Sequence, residues 1–412
     1  MGIFRGPDNI KDGLVFGYDT NYGVANNTQS TRFYKGRPVT NLWDSIDNTQ
    51  SLRPNRTEHF WGGKKWLVSG SYTDPGVSGP QDQYLGKVFK FTSGALSSSW
   101  SGNSYGYMLR DIVSTSGNYY TMSSWIYASP DCNVDSLPSV IEGEAGGESA
   151  VNSHAVSYNL GNKGTWQRIA KKAISDGNTR FICLYPRRNG VTDGSFTGFF
   201  MFAAPQVEEG TETSPYLETG ATRTSTQSLL DVTKNTDIDT SNMSFDVIGQ
   251  PTFDGTDDYI SCPNILGGLS SFTAEFVFFA NTNPTGVENW LGSQYPGTGR
   301  VVFDLWTNGT LRNFVNGTAI YGSTVIQVNR WYHAVFTRDI NGYATIHLNG
   351  DLESSGTIST TPVASTSYEV GGSTTLTRWF NGEIPISRIY GRAMTEEEIK
   401  QSFNTIKNRF KI

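Results

Sequence analysis

Charge is scarce in this chain. Only 17% of its 412 residues are charged, and 32 Lys and Arg against 38 Asp and Glu leave a net −6. Basic residues are scattered, and the best local run, Arg187-Arg188, is too short to track a phosphate backbone, so a nucleic-acid partner is excluded. Cysteine is almost missing. Cys132, Cys183 and Cys262 are an odd number with no CxxC spacing, which argues against a disulfide framework and against a zinc site. Three reduced, buried thiols are expected of a chain folded in a reducing cytosol. No apolar run approaches membrane-spanning length, and MGIFRGPDNIKDG is polar from its sixth residue on, so neither membrane insertion nor a signal peptide is predicted. Gly6 stands where a myristoylation pattern needs Ser or Thr.

What the chain has instead is glycine, 45 residues of it, and 13% aromatics. Glycine supplies positive-φ turn positions and aromatics suit pleated surfaces, so the composition predicts an all-β fold with many tight turns. Residues 1–12 show no periodicity and read as an N-terminal arm. Leu14–Tyr18 reads as a short buried strand. The Gly/Pro-marked stretch YKGRPVTNLW, Tyr34–Trp43, marks a first boundary. From there to Leu217 strands are predicted at Tyr84–Thr92, Tyr119–Ala128, Ala155–Asn159, Gln167–Ala173, Thr179–Tyr185 and Gly198–Ala203. A later set follows at Thr273–Ala280, Arg300–Leu305, Leu311–Val315, Trp331–Thr337 and Ala344–Asn349. Asn341-Gly342 reads as a type I′ hairpin turn. Thr395–Arg409 is the one convincing helix. Thr395 and Glu398 make a capping box, and Ile399, Phe403 and Ile406 form the buried stripe.

Three segments carry a resemblance: FDGTDDYI (Phe253–Ile260), RWYHAVFTRDINGYATIHLNGDLE (Arg330–Glu353) and RWFNGEIPISRIYGRAMTEEEIKQSF (Arg378–Phe403). Their succession resembles the concanavalin A-like, laminin-G-like jelly roll. That family's opening strand is absent just before FDGTDDYI, and DGLVFGYD (Asp12–Asp19) is the candidate for it. KGTWQRIAKKA (Lys163–Ala173) and PQVEEGTETSPYLETGATRT (Pro205–Thr224) resemble a carbohydrate-binding-module type of jelly roll found in phage tail and capsid proteins. The expected organisation is therefore two antiparallel jelly-roll sandwiches, one inserted into the other, with a single C-terminal α-helix. Residues 13–42 and 222–412 would form the concanavalin A-like sandwich, and 43–221 the inserted one.

The resemblance implies a non-enzymatic phage virion protein, a tail, baseplate or fibre component or a capsid decoration. It would display lectin-like domains for host-surface glycan, assembled in the host cytoplasm with other virion proteins, and a homo-oligomer is expected. The alternatives are a glycan-active hydrolase of the same fold and a purely architectural module. Retaining glucanases need carboxylates at alternate positions of one strand. Glu142 and Glu144 have that spacing, but IEGEAGGES reads as a loop. His59, His154, His333 and His347 are spread over separate segments, and His333 reads as a packed sheet histidine. No cofactor is expected beyond a possible structural calcium, with Asp254, Asp257 and Asp258 as one candidate cluster and Glu208 or Glu209 as another. Sugar binding would use exposed aromatic faces with amide neighbours. Trp61, Trp66, Tyr72, Trp100, Asn103, Tyr105 and Tyr107 lie in Gly/Ser-rich stretches, and Ser97–Met108 reads as one loop. Trp125, Trp166 and Trp331 sit in strand patterns and are expected in the core.

Overall fold

The computed structural model describes residues 10–20, 22, 33–42, 67–69, 88–92, 97–100, 103–105, 108–112, 114–134, 139–144, 150–155, 160–175, 180–184, 187–191, 193, 195–211, 213–217, 220–246, 249–284, 286–295 and 299–412. The chain divides into two compact units, Met1–Pro38 with Thr224–Ile412, and Val39–Arg223. The fold is all-β and antiparallel. Among the described residues the α-helices are a single turn, Ser225–Ser228, and the C-terminal helix Glu396–Phe410.

The first unit is a sandwich of an eight-stranded and a six-stranded sheet. In the larger sheet the strand Asn381–Tyr390 pairs with Phe272–Ala280, which pairs with Trp331–Arg338, then Tyr343–Leu348, then Asp351–Thr357. Two segments share the other edge of Asn381–Tyr390. Leu14–Asp19 runs along its later half, with Tyr18 opposite Ser387, and Phe253–Asp254 pairs with Gly382 and Asn381. One edge is thus completed by strands that flank the second unit in sequence. The six-stranded sheet orders Ile260–Pro263, Ser367–Val370, Asn289–Gln294, Val301–Leu305, Thr310–Val315 and Thr318–Val325.

Alternation decides what each strand buries. On Phe272–Ala280, Phe272, Ala274, Phe276 and Phe278 enter the core between the sheets, where Phe276 meets Phe303 with ring centroids 5.9 Å apart. Phe16 and Tyr18 enter the same core and are fully buried, and Phe16 meets Tyr368 edge-on at 5.9 Å. Burying side chains of this size contributes roughly 1.5–3 kcal/mol each. The opposite face of the large sheet is covered by the C-terminal helix, whose Ile406 and Phe410 pack on Val277 and Ile386. That helix has the predicted capping box: the Glu398 amide donates to Thr395 Oγ1 and the Thr395 amide to Glu398 Oε2 at 2.9 Å. Residues 10–12 are attached here too. Ile10 packs beside Tyr390 and Ile399, and Asp12 meets Arg392 at 2.9 Å. Residues 1–9 of the expected arm lie outside the described residues.

The second unit contains a five-stranded sheet, in which Tyr119–Ala128 lies between Gln167–Ile174 and Phe199–Glu209. It also contains a four-stranded sheet in which Ser139–Glu144 pairs with Ala150–Ala155 and Arg180–Leu184. Two readings of the sequence are corrected here. Glu142 and Glu144 belong to a strand, not a loop; flanking strands pair with it on both edges, which glycine-rich IEGEAGGES disguises. Ser97–Met108 is not one loop either. Ser97–Trp100 and Asn103–Tyr105 are short strands, and Arg187–Asn189 adds a third.

Candidate functional site

Aromatic and polar side chains come together at the end of the C-terminal helix in the first unit. A cleft of about 760 Å³ opens there, lined by residues that include Tyr22, Asn329, Trp331, Asn349 and Phe410. Strand alternation explains Trp331. With Tyr332, Ala334 and Phe336 turned into the core, Trp331 shares the outer face with His333 and Val335. It is half-buried and sits 4.9 Å from both the Tyr22 and the Phe410 ring centroids. Tyr22 stacks on Phe410 at 6.0 Å with the rings 7° from parallel. The sequence placed Trp331 in the core; the structure places it at the boundary, one side on Phe279 and the other on the cleft.

Two amides frame the aromatic wall. Asn349 accepts the His333 amide through Oδ1 at 2.9 Å, and its backbone is left-handed with φ of 53°. Asn329, also left-handed, donates its backbone amide to Ala280 O at 2.8 Å. The Asn349 side chain is thus held in place, and the Asn329 backbone is anchored. Arg409 is held by Asp19 at 2.5 and 2.6 Å and donates to the Tyr22 carbonyl. Burial, with help from Glu383 and Asp246, raises the Tyr22 phenol above its usual value, so it stays a neutral hydroxyl at ordinary pH.

Beneath the helix the large sheet carries a buried polar cluster. Glu275 Oε1 accepts from His333 Nε2 at 2.8 Å and from Ser402 Oγ, and Oε2 accepts from Arg388 Nη1 and Tyr390 Oη, each at 3.2 Å. Burial alone would raise this carboxyl; Arg388 and His333 overcome it and hold Glu275 well below the usual carboxylate range. His333 is a packed sheet histidine, as its strand pattern suggested. On the outer face of the six-stranded sheet, Asp304 is bound by Arg312 through Nε at 3.0 Å and through Nη2. Burial lifts the Asp304 carboxyl to about 7 against the lowering by Arg312. Glu288 joins Arg312 and Arg378 beside it, and the Arg312 guanidinium lies 3.9 Å over the Trp306 ring. These carboxylates are engaged by cations and do not converge on a cleft.

Asp254, Asp257 and Asp258 do come together, with one oxygen of each inside a 4.8 Å span. Yet both Asp258 oxygens accept backbone amides, from Ser244 at 2.7 Å and Asp254 at 2.8 Å, and Asp254 Oδ1 accepts from Thr256. Calcium takes six to eight oxygens. With Asp254 and Asp258 already closing their own turn, the cluster falls well short of that shell, and burial raises Asp258 above its usual value. Glu208 and Glu209 do not converge. Glu208 is buried and accepts from Gln206 Nε2 at 2.9 Å and the Ser214 amide at 2.7 Å, while exposed Glu209 accepts from Asn118 Nδ2 at 2.5 Å. Of the expected sugar-contacting residues, Trp61, Trp66, Tyr72 and Tyr107 lie outside the described residues. Trp100 and Asn103 are cross-strand partners, and Tyr105 faces Ser97 across the same pairing.

Residues 254–400 match the family model of the concanavalin A-like lectin/glucanases superfamily, laminin G type. No curated protein matches the chain in sequence. Among solved structures, similarity is found to a Trypanosoma rangeli sialidase in complex with 2,3-difluorosialic acid, at 16% identity and a TM-score of 0.37 over 44% of this chain and 31% of that one. The binding domain of Paraclostridial Mosquitocidal Protein 1 matches at 18% identity and 0.35, over 44% and 50%. Domain 4 of AbnA, an extracellular arabinanase from Geobacillus stearothermophilus in complex with arabinotriose, matches at 18% and 0.35, over 42% and 91%. The chain thus spans 31% and 50% of the length of the first two. Residues 254–400 belong to a concanavalin A-like lectin, laminin G-like domain.

Proposed function

We propose that this protein is a non-enzymatic phage virion component, of the tail, baseplate, fibre or capsid surface, that displays lectin-like sandwiches to host-surface glycan. The observation that carries the binding part is the aromatic cleft. Saccharide rings stack on aromatic faces while fixed amides bond their hydroxyls, and Tyr22, Trp331, Asn329 and Asn349 supply both on a rigid sheet end. The lectin superfamily match over residues 254–400 supports the same reading. The virion part rests on the resemblance of Phe253–Ile260 and Pro205–Thr224 to phage proteins. Many copies on a particle would raise avidity over a weak single site.

The binding part is tested by screening the full chain against immobilised glycans, with Trp331→Ala as the control variant and a thermal melt on each protein. Binding that is lost in Trp331→Ala while the fold persists is the expected result. Failure of the wild type to bind any glycan sinks this part. A mass-spectrometric inventory of purified virions tests the other part, and absence of the chain from every virion preparation rejects it.

One observation favours a second reading. Glu142 and Glu144 occupy alternate positions of a paired strand, the arrangement a retaining hydrolase requires. No release of reducing ends from β-glucan or host polysaccharide is expected. Turnover that vanishes in Glu142→Gln or Glu144→Gln replaces the lectin reading by hydrolysis.

A further inference from the structure

The cleft at the end of the C-terminal helix is unbalanced in charge. Its lining contains Arg330, Arg409 and Lys411 and no Asp or Glu. Arg409 is matched by Asp19. Arg330 and Lys411 are exposed and have no ion pair among the described residues. The helix end adds partial negative charge from its last carbonyls, which a cation on the final turn offsets. Lys407, Arg409 and Lys411 are more than that needs. Glu383 and Asp246, whose charges raise the Tyr22 phenol, do not line the cleft.

From this imbalance, and resting on the glycan-binding reading above, we infer that the cleft selects a saccharide bearing a carboxylate, a sialate or a uronate, over its neutral counterpart. A neutral sugar presents hydroxyls that both donate and accept. Sites for it combine amides with a side-chain carboxylate that takes the hydroxyl protons, and no side chain of this lining supplies one. What it offers beyond the amides is cationic donors beside an aromatic wall. Guanidinium and ammonium donors make their strongest bonds to an anionic acceptor. The ring stacks on Trp331 and Tyr22, and the carboxylate reaches the rim where Arg330 and Lys411 stand. A volume of about 760 Å³ lies within the range of roughly 300–1,000 Å³ of small-ligand sites and admits one or two rings.

The test uses the full chain and matched pairs of ligands: 3′-sialyllactose against lactose, and trigalacturonate against galactotriose. Binding is measured by saturation-transfer NMR and titration calorimetry at low and high salt. The acidic member of at least one pair should bind about ten-fold tighter at low salt, with the margin shrinking as salt rises. Arg330→Gln and Lys411→Gln should each remove a large part of that margin. Both side chains are exposed, so the melting temperature should stay as in wild type. The pair that shows the margin tells sialate from uronate. Equal affinities within both pairs, or a margin that survives the Arg330→Gln/Lys411→Gln double variant, overturns this inference and leaves glycan binding standing. No binding of any saccharide overturns both.

Discussion

At the scale of single residues, the buried polar groups separate structural from functional chemistry. Glu275 is the anchor on which three strands and the C-terminal helix meet. Glu275→Ala leaves Arg388 buried without its anion, which should cost about 3–5 kcal/mol, read as loss of the first unit's melt. Pairing Glu275→Leu with Arg388→Met should cost much less than the single change, since no unpaired charge remains. Glu383 behaves in the opposite way. Burial and the like charge of Asp246 lift its carboxyl from 4.5 to about 7. The folded state then binds the proton more tightly than the unfolded state, so this group's contribution is fully present below pH 4.5 and is lost as pH rises to about 7. Glu383→Gln should therefore match wild type in melting temperature at pH 4 and exceed it at pH 8. A gap that narrows with rising pH would contradict the assignment.

At the scale of elements, the hairpins show how far local signals reach. Asn341-Gly342 is not the two-residue turn that its sequence suggests. Gly342 is left-handed at φ 87° but Asn341 is not, and Gly342 N bonds Asp339 O while Asp339 Oδ1 holds the amides of Asn341 and Tyr343. The loop has three residues, with the glycine in the bulge position. The type I′ turns are Asn316-Gly317 and Asn349-Gly350, where both residues have positive φ and the flanking residues pair directly. The same dipeptide thus makes two turn geometries, because the Asp339 side chain supplies a competing bond that Val315 and Leu348 cannot. At Gly317 a side-chain methyl would meet open space, whereas at Gly371 it would fall on the Phe253 ring. Gly317→Ala should cost about 1 kcal/mol by backbone strain alone. Gly371→Ala should cost clearly more, because a core ring must also move; equal losses in urea melts would show that Phe253 yields freely. Legibility followed the strength of periodicity. Tyr119–Ala128 and the capped helix could be read from the sequence alone, since a run rich in aromatic and other strand-forming residues and a capping box leave little competition. The cleft could not, because Tyr22, Trp331 and Phe410 are far apart in the chain and meet only when the helix docks. The alternation that turns Tyr332 and Phe336 inward was the available signal that Trp331 faces out.

At the scale of the whole molecule, the ends of each unit are tied. In the second unit Thr40 pairs with Thr222 and Val39 with Arg223, and Asn41 bonds Ala221, Leu217 and Val207. In the first, Tyr34 bridges Leu229, and Lys35 and Gly36 bond Ser228. Neighbouring ends are what lets one unit sit within another's sequence. Fragment 39–223 should therefore melt cooperatively by itself, and joining Pro38 to Thr224 through a short Gly-Ser link should preserve the first unit's melt. A fragment with no cooperative transition, monitored by circular dichroism, would show that its ends need their neighbour. The pairing of Leu14–Asp19 with Asn381–Tyr390 also has a consequence in time. On the ribosome Tyr18 emerges 366 residues before Ile384, the residue its hydroxyl bonds in the partner strand. The core aromatics Phe16 and Tyr18 wait through that length of synthesis without the strand they pair with, so this interval, rather than the finished fold, is when the chain is most open to aggregation and most dependent on chaperones.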